Sequence, residues 1–247
     1  MKIKKSLEVL FYPISQTASE FIDPPQPASK TNIPESFRKV PKYLNGQTEF
    51  FNFGGNSNNL TVKSCLPIVD ALTSGYTICT PYDIQIQRVG DGYVQPTFAA
   101  SEPGLSPFLT RRTDMKTDVH HFKNIYGYDA VEFNWVPQWC IKTPKGYSSM
   151  FIHPINRIDL PFYTIGGVLD TDGWGDAGNQ PFLLKKGWTG IIPMGTPVLQ
   201  IIPFKRDDWN SKTDKTMVKE YRQKIFNRDR KVKDYYKLNH WNSKKYK

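Results

Sequence analysis

The order of apolar and polar residues between positions 139 and 209 is typical of β-strands. Short runs rich in Ile, Val, Phe and Tyr are separated at close intervals by Pro, Gly, Asn and Asp, which is the pattern of antiparallel strands joined by tight turns. No helical period persists there for more than a few residues. The stretch therefore predicts a mainly β, antiparallel body, which we place at residues 60–208.

Further elements are predicted at the start of this body. Residues 82–89 alternate between apolar and polar positions, which predicts a half-buried strand with Ile84 and Ile86 pointing inward. Residues 76–80 predict a second strand, and the brief apolar segment at residues 66–72 predicts one or two helical turns before it.

The two ends of the chain have different patterns. Six prolines occur from Pro13 to Pro41, with both of these included. Because proline fixes φ and removes a donor, we expect residues 1–59 to form an extended, Pro-rich arm without a helix, packed on the body. From residue 209 to 247, apolar residues recur at helical spacing. They predict a basic amphipathic C-terminal helix from about residue 212 to about residue 238, with a break near Asn227.

The positive charge of the chain is concentrated in this C-terminal segment. The net charge is +10, and residues 205–247 hold 15 Lys and Arg against 6 Asp and Glu, while the remaining residues hold 18 against 17. A basic segment of this kind can bind nucleic acid or an acidic protein surface. It is equally compatible with a solvated helix face.

The cysteines, the histidines and the lengths of the apolar runs limit the kinds of protein that the chain can be. The three cysteines lack CxxC spacing and the four histidines form no ligand pattern, so we expect reduced thiols and no metal site. No apolar run is long enough for a signal peptide or a membrane span. We expect a protein without membrane contact, located in the host cytoplasm or in a virion.

Four short segments of the body follow one another in a distinctive order. They are SGY at residues 74–76, TPKGY at 143–147, GVLDTDGWG at 167–175, and LKKG through VLQIIP at 184–203. In this order and spacing they resemble motifs of the trimeric dUTPase and dCTP deaminase superfamily. The resemblance covers about residues 74–203 and implies a β-clip fold, an antiparallel barrel or sandwich, and a homo-oligomer with three subunits.

The resemblance also assigns roles to individual residues. Asp170 takes the place of the carboxylate that orients the attacking water, and Arg157 is the cation in the phosphate-binding segment. Tyr147 or Trp174 would stack on a base, and Asp172 lies in the same ligand-binding loop. A nucleotide-binding or nucleotide-hydrolysing enzyme of this type would use Mg²⁺ as its cofactor.

The sequence departs from the family pattern at several of these positions. Gly173 stands where the family has a Tyr under the sugar, and the segment at residues 153–157 lacks the Ser-Gly pair that binds phosphate. A basic helix replaces the Gly-rich C-terminal arm. Because a phosphoanhydride hydrolase needs its phosphates clamped, we expect no enzymatic activity; Asp170 and Asp172 are also typical turn residues.

The whole chain resembles, in addition, an uncharacterised domain family of bacteria and marine tailed phages. The resemblance is carried by PPQPAS at residues 24–29, SCLP at 64–67, the turn at 142–147 and DTD at 170–172. It implies a phage virion or assembly component whose partners are other copies of the chain and other virion proteins. The sequence thus gives two hypotheses: a non-enzymatic structural β-clip protein, and a divergent nucleotide hydrolase that uses Asp170.

Overall fold

The computed structural model describes residues 7–44, 60–89, 93–98, 108–111, 127–129, 133–176, 178–230 and 235–247. These residues form two compact units. The sheet unit consists of the described parts of Met1–Asn32, Thr73–Arg206 and Tyr246–Lys247. The helical unit consists of the described parts of Ile33–Leu72 and Asp207–Lys245.

The described residues contain short strands and mostly short helices. The strands are β1 (Leu10–Pro13), β2 (Gln26–Pro27), β3 (Tyr76–Cys79), β4 (Ile84–Val89), β5 (Tyr93–Phe98), β6 (Leu109–Arg111), β7 (Phe133–Trp135), β8 (Trp139–Lys142), β9 (Tyr147–Ile152), β10 (Phe162–Thr164), β11 (Gly167–Leu169), β12 (Gln180–Leu184), β13 (Gly190–Ile192) and β14 (Pro197–Lys205). The helices are α1 (Gln16–Phe21), α2 (Ala28–Thr31), α3 (Glu35–Lys39), α4 (Leu66–Thr73), α5 (Val218–Arg230) and α6 (Tyr235–Asn239).

The strands of the sheet unit pair in four sheets. The largest has the order β11-β9-β14-β3-β2, the second β10-β12-β7-β6, the third β13-β4-β5, and β1 pairs with β8. Every pairing is antiparallel. The prediction of a mainly β, antiparallel body is confirmed. Within the described residues none of these sheets closes on itself, so the barrel form of the expected fold is not found.

An aromatic cluster forms the centre of the sheet unit. The ring of Trp135 is stacked on that of Phe182 at a centroid distance of 3.9 Å and meets Phe162 edge-on at 5.0 Å. Its indole N–H donates to the Thr164 hydroxyl at 3.0 Å, and that hydroxyl donates to the Val198 carbonyl at 2.7 Å. The polar atom of the buried indole is thus satisfied, as the burial of a Trp requires.

The alternation predicted for the strand at residues 82–89 is confirmed. Ile84 and Ile86 on β4 are buried, whereas Gln85 and Gln87 between and after them are exposed. The period of two therefore places one face of this strand in the core.

The expectation of an N-terminal arm without helices is wrong. The prolines stand outside α1, α2 and α3: Pro27 and Pro34 are the residues before α2 and α3. At these positions the missing N–H costs no helical hydrogen bond. α1 begins after Ser15, whose hydroxyl accepts from the Ala18 amide at 3.0 Å.

The C-terminal helix differs in detail from its prediction. A 3₁₀ turn at Lys215–Met217, capped by the Asp214 carboxylate, precedes α5, which continues through Asn227 without a break. Residues 231–234 lie outside the described part of the chain, and α6 follows them. The short helix predicted at residues 66–72 is confirmed by α4. No helix in the described ranges has the length and apolar character needed to cross a bilayer.

Candidate functional site

Asp170 lies at the end of β11, where the chain turns away from the largest sheet. β11 pairs with β9 with Leu169 opposite Ser149, so the next residue faces Ser148. The Ser148 hydroxyl donates to Asp170 Oδ1 at 2.6 Å. The amides of Gly173 and Trp174 donate to the Asp170 carbonyl at 3.0 and 2.9 Å, which closes a tight turn after the strand.

Arg206 reaches the same turn from the end of β14. The pairing of β14 with β9 places Lys205 opposite Tyr147, and the amide of Arg206 donates to the Gly146 carbonyl at 2.9 Å. The guanidinium Nη1 lies 2.8 Å from Asp172 Oδ1 and 3.2 Å from Asp170 Oδ1, and Nη2 lies 2.5 Å from Asp172 Oδ2. We call Ser148, Asp170, Asp172 and Arg206 the carboxylate cluster.

The two carboxylates of the carboxylate cluster have different environments. Hydrogen bonds from the Arg206 guanidinium, and one from the Gly146 amide at 2.7 Å, lower the pKa of Asp172 to about 2. The Asp172 side chain is 12% exposed, whereas that of Asp170 is 71% exposed. Asp172 is therefore a fixed structural anion, and Asp170 lies at the surface beside it.

Hydrogen bonds among buried hydroxyl groups stabilise the turn. Thr171, between the two aspartates, is fully buried, and its hydroxyl is 2.8 Å from that of Thr143 and 2.9 Å from that of Ser149. The Thr143 amide also donates to the Thr171 carbonyl at 3.1 Å. These bonds fix the backbone between Asp170 and Asp172, and so the relative position of their carboxylates.

The two predicted stacking residues lie near the cluster. Tyr147 is the first residue of β9 and is half-buried, and Trp174 follows the turn and is 60% exposed. The carbonyl of Tyr147 accepts from Arg206 Nη1 at 3.2 Å. Of the predicted site residues, the structure thus brings Tyr147 and Asp172 into contact with Arg206, together with Asp170.

Arg157 does not belong to this group. It lies in the turn beyond the far end of β9, whereas Ser148 is near the start of that strand. At about 3.3 Å per residue, the strand separates the two places by more than about 10 Å. The Arg157 side chain is 10% exposed and is bound by Asp159 through two hydrogen bonds of 2.8 Å. The single site expected from Asp170 and Arg157 is therefore divided in two.

A cavity of about 530 Å³ lies beside Arg157. Its lining includes His153, whose Nδ1 accepts from the Thr164 amide at 3.2 Å and whose Nε2–H donates to the Arg157 carbonyl at 3.1 Å. Burial lowers the pKa of His153, and the hydrogen bond from the Thr164 amide requires the neutral ring, because Nδ1 must be unprotonated to accept it. The lining does not include Asp170 or Asp172.

The chemistry of the carboxylate cluster follows from these contacts. Mg²⁺ prefers carboxylate oxygens that are free to enter its coordination shell. At Asp172 both oxygens are engaged by Arg206, and at Asp170 the Oδ1 atom is engaged by Ser148 and Arg206. The residues present therefore fit Mg²⁺ poorly. Within the described ranges, no group of three His, Cys, Asp or Glu side chains could hold a metal ion.

Two residues of the cluster, Ser148 and Arg206, were missed by the sequence analysis. Arg206 is 34 positions from Asp172, and nothing in the local sequence marks it as its partner. The contact depends on the register of β14 against β9, which a single sequence does not show.

Comparisons of the chain with protein-family models, with curated proteins and with solved structures found no match in any of the three.

Proposed function

We propose that this chain is a non-enzymatic β-clip module that self-associates and serves as a structural or accessory component of a phage particle. The observation that carries the proposal is the binding of Arg206 to both Asp170 and Asp172. The carboxylate that would orient water in a dUTPase-like enzyme is here bound by a guanidinium and by the Ser148 hydroxyl. A general base needs a lone pair directed at the proton it removes, and these contacts engage Asp170 Oδ1.

The described residues also do not form the phosphate-binding site that a hydrolase needs. Phosphoryl chemistry needs cations directed at the phosphates and a bridging metal. Arg157 is buried and bound by Asp159, and the resemblance supplies no second phosphate-binding element. The geometry therefore favours a structural role for both charged groups.

Self-association is supported by the edge of the largest sheet. Among the described residues β11 is an edge strand. Val168 in its middle is 58% exposed, and Trp174 after it is 60% exposed. Exposed strand edges with apolar side chains are surfaces to which other chains bind. We propose that a second copy covers this edge, in the trimer implied by the dUTPase resemblance. Other virion proteins are the further partners implied by the phage resemblance.

A second candidate function is favoured by the exposure of Asp170. Because 71% of its side chain is accessible, a bound nucleotide with Mg²⁺ could reach it and displace Arg206. The chain would then be a divergent nucleotide hydrolase in which Tyr147 or Trp174 stacks on the base.

Turnover by the purified chain separates the two functions. We expect no release of pyrophosphate from dUTP or dCTP in the presence of Mg²⁺, and no difference between the wild type and Asp170→Asn. Mg²⁺-dependent release by the wild type that is lost in Asp170→Asn would overturn the non-enzymatic assignment.

Sedimentation velocity at several protein concentrations tests the self-association. We expect an oligomer that dissociates in Val168→Lys and persists in Ile191→Lys, since Ile191 is a similarly exposed residue (55%) on another sheet. A wild-type monomer at every concentration would contradict the proposal. Mass spectrometry of purified phage particles tests the location in the virion.

A further inference from the structure

The described parts of residues 207–245 carry most of the cations of the helical unit. Residues 207–245 hold 12 Lys and Arg against 6 Asp and Glu. Lys224 is bound to Glu220 at 2.6 Å and Lys244 to Asp70 at 2.5 Å. Several others are exposed on and before α5, among them Lys212, Lys215, Lys219 and Arg222.

Aromatic side chains are exposed between these cations. Trp209 is 89% exposed, Tyr221 64%, Phe226 52% and Tyr236 45%. Large aromatic side chains contribute much of the stabilising free energy of the cores and interfaces in which they are buried. Four of them exposed within one basic segment indicate a surface that a partner covers.

One face of α5 combines both features. Lys219, Arg222 and Phe226 are spaced i, i+3 and i+7, so they lie on the same side of the helix. All three side chains are exposed. We call these three residues the basic aromatic face. Val218 and Tyr221 lie on the neighbouring side of α5, which also carries the half-buried Ile225.

We infer that the basic aromatic face, together with Trp209 and Lys212 before it, binds single-stranded nucleic acid. Lys and Arg neutralise backbone phosphates and release counterions. Exposed aromatic rings stack on unpaired bases without reading their sequence. The alternation of cations and rings along this segment supplies both contacts side by side, so the chemical class of the ligand is an unpaired polynucleotide.

Other occupants fit this surface less well. In a duplex the bases are already stacked on one another, so exposed rings gain little from it. A helix on a bilayer segregates its apolar and basic residues to opposite faces. Around the axis of α5, by contrast, Phe226 lies between Lys219 and Arg222. A second copy of the segment would bring like charges together. The inference does not depend on the proposed self-association, because all of these residues belong to the helical unit.

Fluorescence anisotropy with the full chain tests this inference. The probes are labelled oligo(dT) of about 20 nucleotides and a duplex of the same length, at salt concentrations from about 50 to about 200 mM. We expect tighter binding to the single strand, with log K falling linearly with log[salt] at about 0.7 per phosphate contacted.

Substitutions separate stacking from charge. Phe226→Ala should weaken oligo(dT) binding about tenfold and leave the salt dependence unchanged, because a ring contributes stacking and no charge. Arg222→Gln should weaken binding and reduce the salt slope by about 0.7. Lys186→Gln makes the same charge change at an exposed position of the sheet unit and should have neither effect.

Several outcomes of these binding experiments would overturn the inference. Equal affinity for single strand and duplex, or equal loss in Arg222→Gln and Lys186→Gln, would reduce the binding to general charge attraction and overturn it. Binding to vesicles that contain phosphatidylserine, with none to oligo(dT), would overturn it in favour of a lipid surface. Quenching of tryptophan fluorescence by oligo(dT) that is lost in Trp209→Phe would support it.

Discussion

Arg206 binds Asp172 through two hydrogen bonds, from Nη1 to Oδ1 at 2.8 Å and from Nη2 to Oδ2 at 2.5 Å. The contact joins the end of β14 to the turn after β11 across 34 residues of sequence. A two-point pair of this kind fixes both side chains in orientation as well as distance. It also holds the turn that places Asp170 at the surface.

This ion pair makes stability depend on pH in acid. The hydrogen bonds from Arg206, followed by that from Gly146, lower the pKa of Asp172 from 3.8 to about 2 in the folded chain. A lowered pKa means that folding favours the charged form, so the stabilisation is complete above about pH 4 and is lost as the pH falls toward about 2. We expect the wild type to lose stability more steeply over this range than Asp172→Asn, as measured by urea unfolding.

Asp208→Asn is the matched control, because Asp208 is an exposed aspartate in the helical unit. Its acid profile should follow that of the wild type. If Asp172→Asn also follows the wild type, the ion pair contributes nothing to stability.

His153 gives a second pH dependence nearer neutrality. Burial is the main cause of its lowered pKa, which is 6.5 in an unperturbed histidine. Protonation at Nδ1 would also remove the acceptor of the Thr164 amide. The neutral ring is favoured by folding, so its contribution is complete above about pH 6.5 and declines as the pH falls below that value.

The free energy of unfolding should therefore be lower at about pH 5.5 than at about pH 7.5 in the wild type. His153→Gln should remove most of that difference, and His240→Gln, at an exposed histidine, should retain it. A His153→Gln protein with the full wild-type pH difference would show that another group is responsible.

The sequence predictions were correct for features that depend only on neighbouring residues. The alternation that buries Ile84 and Ile86 is a property of neighbouring residues, and it correctly predicted the strand. The many prolines of the N-terminal segment wrongly predicted an arm without helices, because Pro27 and Pro34 precede helices and do not interrupt them. Position relative to the helix start decides the effect of a proline.

The candidate site was predictable only in part for the same reason. Asp170 and Asp172 stand in one turn and were identified together. Their partner Arg206 depends on the register of β14 and β9. Arg157 was expected in the same site, but the pairing of β11 with β9 places Asp170 near the start of β9, whereas Arg157 lies beyond its far end. Long-range register is the information that the single sequence lacked.

Gln200 connects three parts of the sheet unit and should be sensitive to substitution. Its side chain is fully buried; Oε1 accepts from the Ile155 amide at 2.8 Å and from Asn32 Nδ2 at 3.3 Å, and Nε2 donates to the Ser74 carbonyl at 2.6 Å. Gln200→Leu removes all three bonds from buried surroundings. We expect a loss of about 3 kcal/mol in the free energy of unfolding.

Gln85→Leu is the control, because Gln85 is exposed on β4 and should change stability by less than about 0.5 kcal/mol. Equal effects of the two substitutions in urea unfolding would show that the buried amide contributes no specific stabilisation.

Gly175 has no space for a side chain because Tyr12 lies against it. The Tyr12 hydroxyl donates to the Gly175 carbonyl at 2.7 Å, and a Cβ at Gly175 would overlap the hydroxyl oxygen. Gly175→Ala should therefore destabilise the sheet unit by about 2 kcal/mol, as overpacking does. Gly173→Ala is the control, since the nearest atom to a Cβ there, the Asp170 carbonyl oxygen, is 3.9 Å away.

A double substitution tests the cause of this effect. Tyr12→Phe removes the hydroxyl and leaves the ring carbon at 3.5 Å from the added Cβ, which is ordinary contact. Tyr12→Phe alone should cost about 1 kcal/mol for the lost hydrogen bond. In that background Gly175→Ala should cost much less than in the wild type, so the two changes should be strongly non-additive in a double-mutant cycle. Additive costs in thermal or urea unfolding would show that the alanine acts on the backbone of the turn and not through Tyr12.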